Sequence, residues 1–306
     1  MKSIASIISF CTNDARFLRA CIDGVKSYSD QILISVSDHF FNGELENLGL
    51  LEQLYKKFPE CTFIEFAFDP KELYGSAALS RENPDWVHHW HNSARLVAYY
   101  FVKEGTDALF FLDVDEIVES ERFQAWLNSK PLLNAARFSS YYYFREARFR
   151  AKSWPDAPLL VRKRELDPDW LLDSDERMGL FLNISGNKES SIHGLDGKPM
   201  VHHYSWVRTK EEMVKKVASW GHHWERNWKN RIEEEFSRPF NGRDFVREYS
   251  YEEAIPFFDP LQEPLTLPEE ILVLEKHREN LKSFPNVLRV DAREIFRKDL
   301  LLRINK

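Results

Sequence analysis

FFLDVDEIV, residues 110–118, is the stretch that decides the fold. Four apolar residues, Leu109 to Leu112, run straight into Asp113-Val114-Asp115, as a buried strand ending in carboxylates would. Side chains alternate along an extended chain, so Asp113 and Asp115 are expected on the same side of it. At the carboxyl end of a parallel strand they would stand where open α/β sheets bind ligands. Two carboxylates on one face repel each other, and a divalent cation relieves that repulsion. Oxygen ligands favour Mg²⁺ or Mn²⁺, which keep positions open for phosphate oxygens. The plain alternative is an acidic strand-to-loop turn, since Asp-x-Asp triplets are common. An exposed turn, however, needs no such apolar strand before it.

Upstream, strand and helix signals alternate. Ile4 to Phe10 is a short β-branched run fit for burial on both faces, and Asn13 or Asp14 can cap a helix carrying Phe17, Leu18, Cys21, Ile22 and Val25. Gln31 to Val36 reads as a second strand, Leu45 to Phe58 as a helix stopped by Pro59, and Thr62 to Phe68 as a third strand. A helix over His91 to Val102, closed by Gly105, leads into Ala108 to Leu112. Such alternation implies right-handed crossovers and a mostly parallel sheet.

Downstream the pattern changes. Ala135 to Arg150 and Leu159 to Arg164 predict antiparallel strands, and the glycine-bearing stretch Ser185 to Pro199 predicts a loop. Tyr141-Tyr142-Tyr143-Phe144, with Trp154 nearby, could stack on sugars but fits strand core better. Thr209 and Glu212 form a capping box. The helix they open has an apolar stripe of Met213, Val217 and Trp220, with Glu211–Lys215 and Glu212–Lys216 as outward pairs. The tail from Pro268 reads helix, strand (Val287 to Val290), helix.

Composition narrows the function classes. With 306 residues, 43% hydrophobic and 14% aromatic, the chain has material for a large core. Forty-two basic against 49 acidic residues leave a net charge of −7, with no basic stripe to suggest nucleic acid. An acidic protein can still hold a diphosphate where a metal ion supplies positive charge. Cys11, Cys21 and Cys61 form no CxxC pair, which points to a reducing, cytoplasmic setting, in contact with a membrane at most at its periphery. The N-terminal apolar run is too short for a signal peptide, and no window approaches the roughly 20 apolar residues of a membrane span.

Three stretches carry a resemblance. YYFVKEGTDALFFLDVDEIV resembles the approach to the DxD motif of GT-A glycosyltransferases, and SIISFCTNDARFLRACIDGVKSYSDQILISVSD resembles their first strand, helix and second strand. HHYSWVRTKEEMVKKVASWGH, residues 202–222, is similar to a His-Tyr-Gly-Trp-Val-Arg element of one group of family-2-like enzymes, with Ser205 in place of glycine. The resemblance spans about residues 3–222. It implies a Rossmann-like GT-A fold over 1–223, with a nucleotide-binding half (1–118) and an acceptor half (119–223), followed by a mainly helical C-terminal extension (224–306).

It also implies roles. Asp115 would coordinate the metal, Asp113 would contact metal or ribose, and His203 would be a third protein ligand, in preference to His202. Thr12, Asn13, Asp14 and Asp38 would hold the nucleoside, although His39-Phe40-Phe41 replaces the usual Gly-Ser run after Asp38. Arg95 either reaches the donor or is an ordinary surface arginine. The implied reaction moves a sugar from a nucleotide-sugar, with UDP the more frequent donor nucleotide, to a hydroxyl of a glycan or other acceptor. Inverting transfer needs a base for that hydroxyl proton. Asp173-Ser174-Asp175-Glu176-Arg177 offers Asp175 first and Glu176 second, against the alternative of a solvated acidic loop.

Rival readings are a zinc hydrolase, for which the clustered histidines lack an HExxH pattern, and a nucleotidyltransferase, whose glycine-rich loop is missing after the first strand. A non-catalytic glycan-binding protein on the same scaffold is the third.

Overall fold

The computed structural model describes residues 2–40, 44–67, 84–173, 175–219, 226–263 and 283–291. The elements run β1 (Ile4–Ser9), α1 (Ala15–Val25), β2 (Gln31–Ser37), α2 (Leu48–Lys57), β3 (Thr62–Ala67), α3 (Pro84–Tyr99) and β4 (Ala108–Asp113). There follow β5 (Glu116–Val118), α4 (Ser120–Ser129), β6 (Ala135–Phe144), β7 (Glu146–Ala151), β8 (Asp156–Arg162), α5 (Glu176–Asn183), β9 (Lys188–Ile192), β10 (Val201–Trp206), α6 (Lys210–Ser219), α7 (Trp228–Phe236), β11 (Tyr251–Glu253) and β12 (Val287–Asp291).

The protein is α/β, with a mostly parallel central sheet flanked by helices and extended by an antiparallel section. The sheet order is β11-β7-β6-β8-β4-β1-β2-β3-β12. Strands β4, β1, β2, β3 and β12 are mutually parallel, and β8 joins β4 antiparallel. Alternation along the buried strands sends Ile4, Ile8, Phe110 and Leu112 to one face, under α1, α2 and α4. Ala5, Ile7, Leu109 and Phe111 go to the other, under α3 and α5. Both faces are covered, which is why these strands read as continuous apolar runs rather than alternating ones. Helix α1 approaches β5 so closely that a Cβ on Gly24 would lie 2.7 Å from the Val118 carbonyl oxygen.

Several sequence expectations need correction. Asp14 occupies the N-cap position of α1 but makes no cap bond, because Arg208 takes its carboxylate. The stretch 185–199 is not all loop: β9 pairs parallel with β6, between turns that Gly186 and Gly197 permit at positive φ. Of 224–306, the described residues hold helix α7, a short strand β11 paired with β7, and the expected strand from Val287, which forms as β12 and adds to the main sheet beside β3. The expected tail helices and Trp220 lie outside the described residues.

The aromatic run Tyr141 to Phe144 is buried core, while Trp154 is exposed. Met213 and Val217 are buried, as the stripe predicted. The capping box forms, with the Thr209 N–H donating to Glu212 at 2.9 Å and the Glu212 N–H donating to the Thr209 hydroxyl at 3.3 Å. Thr209→Ala should therefore cost about 1 kcal/mol in urea unfolding. The outward pairing of Glu212 with Lys216 does not form. Glu212 instead pairs with Arg16, and Lys216 turns toward Asp115, because α6 lies across the loop after β1. Among the described residues, no helix is long and apolar enough to cross a membrane.

Candidate functional site

A cleft of about 510 Å³ opens at the carboxyl ends of β1 and β4. Asp14, Asp113, Asp115, Asp175, Glu176 and His203 all line it. Its floor follows from strand register. Ser9 of β1 pairs with Asp113 of β4, so both strands end at the same level. The chain then turns at Val114-Asp115 and re-enters the sheet as β5. Because of that turn the same-side expectation for Asp113 and Asp115 does not hold as a strand argument. Both carboxylates line the cleft, but they meet different partners.

Strand β10 fixes the Asp115 side. It runs antiparallel to β5 with His203 opposite Glu116, and the Tyr204 N–H donates to the Asp115 carbonyl at 2.9 Å. His203 Nε2 thereby lies 3.4 Å from Asp115 Oδ1. Lys216 Nζ and Arg208 stand 3.7 and 3.8 Å from Oδ2. Burial opposes ionisation of Asp115, but His203 and Lys216 outweigh it and hold the carboxyl well below the usual range. Burial likewise lowers the His203 pKa, and Asp115 and Glu116 more than reverse this, leaving it raised. Asp115 Oδ1 is buried, yet among the described residues it has no hydrogen-bond partner of good geometry. A buried oxygen in that state needs a reason. His202, the neighbour that points to the opposite face, is taken up by the Tyr143 hydroxyl at 2.8 Å and Glu119 at 2.9 Å.

Asp113 is held by arginines. Arg177 donates to Asp113 Oδ2 at 2.8 Å and grips Glu116 through both oxygens, at 2.6 and 2.9 Å. Arg95 lies 3.4 Å from Asp113 Oδ1 and 3.7 Å from Glu176. Burial opposes ionisation of Asp113, but Arg177, His91 and Arg95 outweigh it and keep the carboxyl far below its ordinary value. Arg95 is 2% exposed, which removes the surface-arginine alternative; it stands behind Asp113 rather than in the cleft lining. Sequence reasoning missed Glu116, Arg177, His91 and Lys216. A third acid directly after Asp113-Val114-Asp115, inside an apolar strand, was the available signal for Glu116, and a buried acid calls for a cation.

The predicted nucleoside residues divide. Asp14 lines the cleft beside Arg208. Thr12 is buried, and both its N–H (3.1 Å) and its hydroxyl donate to Glu46. Asn13 donates to Ser219, and Asp38 meets the His39 imidazole. Thr12, Asn13 and Asp38 lie outside the cleft lining. A small adjoining cavity is bordered by Ser37, His39, Glu46 and Ser219. Burial pushes the Glu46 carboxyl from 4.5 up to about 7, against hydrogen bonds from Thr12 and Asn47 that pull it down. Between those two values the folded chain keeps a proton that the unfolded chain has lost, so this group's contribution falls as pH rises through the window. The 2.5-unit gap corresponds to a loss on the order of 3 kcal/mol. Urea unfolding at pH 4.5 and 7.5 should show Glu46→Gln less pH-dependent than the parent by about that amount.

Of the two base candidates, Asp175 is exposed at the cleft rim, and among the described residues its carboxylate accepts no hydrogen bond. Its N–H is fixed by Asp173 at 2.9 Å. Glu176 is bound to His91 Nδ1 at 3.0 Å. Among the described residues no three His, Cys, Asp or Glu side chains already converge as a metal cage. Asp115 and His203 nonetheless suit a divalent cation that keeps most positions for water and phosphate: an oxygen and an imidazole nitrogen close together, the oxygen without a well-formed hydrogen bond among the described residues.

No family model matches the chain, and no curated protein does. Solved structures do show similarity. The glycosyltransferase GlyE of Streptococcus pneumoniae is 12% identical over 80% of this chain and 67% of its own, with a TM-score of 0.36. An inositol-1-phosphate CTP transferase from T. maritima is 7% identical over 69% and 94%, with a TM-score of 0.39. Glucosyl-3-phosphoglycerate synthase from Mycobacterium tuberculosis, solved with Mn²⁺, UDP and phosphoglyceric acid, is 11% identical over 84% and 89%, with a TM-score of 0.33. At such identities and scores these are likenesses of overall shape and no more.

Proposed function

We propose that this chain is a metal-dependent glycosyltransferase of the GT-A type, which transfers a sugar from a nucleotide-sugar, UDP-linked in the first instance, to an acceptor hydroxyl. The observation that carries the reading is the buried Asp115 Oδ1, without a well-formed hydrogen bond among the described residues and 3.4 Å from His203, in a large cleft at the carboxyl ends of parallel strands. Asp115 and His203 would hold Mn²⁺ or Mg²⁺, with Asp113 alongside, and the ion would supply positive charge to the diphosphate. Lys216 adds a fixed cation on the same side, and Asp14 offers the cleft a hydrogen-bond acceptor for the nucleoside. Asp175, exposed in the cleft lining, takes the proton of the acceptor hydroxyl as the hydroxyl oxygen attacks the anomeric carbon. The bond from that carbon to the diphosphate breaks, and the nucleoside diphosphate departs with the electron pair. Asp175 suits the base role better than Glu176, whose carboxylate His91 and Arg95 already engage.

Thermal unfolding with UDP or GDP, each with MnCl₂ or EDTA, tests the reading. A ligand at 100 times its Kd stabilises by roughly 2.7 kcal/mol, or about 4 °C for a chain of 306 residues. The rise should need both nucleotide and Mn²⁺; an equal rise in EDTA removes the metal from the proposal. UDP release from a panel of UDP-sugars then separates an active transferase from a glycan-binding protein, and incubation with UTP and sugar phosphates separates it from a nucleotidyltransferase.

A further inference from the structure

Part of the cleft wall is built by a loop from the C-terminal region. Asp244 is 2% exposed and accepts backbone N–H bonds from Val246 at 2.7 Å, Glu248 at 3.2 Å and Tyr249 at 2.9 Å, with a further bond from Arg247. The Tyr251 hydroxyl donates to it at 3.1 Å, and the loop ends are tied by a bridge between Arg243 and Ser250. One buried carboxylate thus organises the turn and projects Val246, Arg247 and Tyr249 into the cleft lining. The loop is continuous with the candidate metal side. The Tyr249 ring packs edge-on against Tyr142 at 5.7 Å, and Tyr142 packs edge-on against His203 at 5.3 Å.

Arg247 is exposed and, among the described residues, its guanidinium has neither ion pair nor hydrogen bond. A second arginine in the same lining is underused. Arg137 Nη2 donates to the Asp156 carbonyl at 3.1 Å, but its Nε is buried without an acceptor and its Nη1 meets only the Met178 sulfur, a weak acceptor, at 3.1 Å. The acid nearest Arg137 is committed elsewhere: Asp156 accepts from Ser139 and from Ser191. Guanidinium groups recognise carboxylate and phosphate through paired N–H donors, and a prearranged loop lowers the entropy lost on binding.

We infer that the acceptor carries an anionic group, phosphate or carboxylate, which Arg247 binds with Arg137 alongside, while Tyr249 flanks the sugar. This rests on the transferase reading above for its division of the cleft into donor and acceptor sides. Calorimetry on the full chain tests it, with and without saturating UDP and MnCl₂, using glucose 6-phosphate, glucuronate and methyl glucoside as probes. A charge-assisted contact of this kind is worth about tenfold or more. Glucose 6-phosphate or glucuronate should therefore bind at least about tenfold tighter than methyl glucoside, and whichever of the two binds tighter identifies the anion. Arg247→Gln should bring the ratio near one, and Arg247→Lys should restore part of it. Equal binding of all three sugars, binding of none, or a preference that survives Arg247→Gln overturns the inference. Absence of UDP binding in the control titration counts against the donor site instead, and the sugar titrations without UDP still decide the arginine.

Discussion

Asp115→Asn should weaken Mn²⁺-dependent UDP binding by at least about 100-fold, since outer-shell partners of metal ligands already cost 10–100-fold when removed. Asp115 Oδ1 is buried yet lacks a well-formed hydrogen bond among the described residues, with His203 Nε2 3.4 Å away. Oδ2 by contrast faces Lys216 and Arg208. Asparagine keeps the shape and one oxygen but removes the charge that draws a cation to the pair. The comparison that matters is with His203→Gln, which should weaken Mn²⁺-dependent binding in the same direction while leaving nucleotide binding in EDTA unaltered. Cooperative unfolding of both variants in EDTA shows whether the fold persists. Undiminished UDP binding by Asp115→Asn at the same Mn²⁺ concentration would end the metal assignment.

The parallel core was legible because its strands are buried on both faces. Ile4 to Phe10 and Ala108 to Leu112 contain little else than apolar residues, and the register that levels Ser9 with Asp113 follows from packing both against the same helices. The meeting of Asp115 with His203 was legible only through a resemblance. No local signal predicts that β10 pairs with β5, 88 positions apart from Asp115 to His203. What stayed hidden is the long-range ionic set. Arg177 lies 61 positions from Glu116, and locally it reads only as a basic residue beside an acidic run. Lys216 matched an i, i+4 pairing rule and was assigned to the helix surface, whereas tertiary packing turns it to Asp115. Asp244 and its loop carry no sequence signal beyond the general abundance of polar residues there.

Arg177→Met should destabilise the protein by about 3–5 kcal/mol at neutral pH, because it strands a buried acid. Glu116 is 0% exposed, and both its oxygens are held by Arg177, with a further bond from the Asp113 N–H at 2.9 Å. Burial already raises the Glu116 pKa even with Arg177 opposing it, and removing the arginine raises it further. A carboxyl raised in the folded state costs stability as pH climbs above its unfolded value of 4.5. The loss in Arg177→Met should therefore be larger at pH 7 than at pH 4, which urea unfolding at the two values measures. The double variant Arg177→Met with Glu116→Gln removes cation and anion together, so it should recover much of the loss, and its coupling energy reports the pair directly. A deficit below about 1 kcal/mol in the single variant would mean that water reaches Glu116. The same substitution frees Asp113 from its shortest ionic contact, so nucleotide binding measured on the double variant isolates what Arg177 contributes to the cleft by orienting that carboxylate. Stability and binding then report two consequences of one guanidinium, placed between the core of the sheet and the carboxylate at its edge.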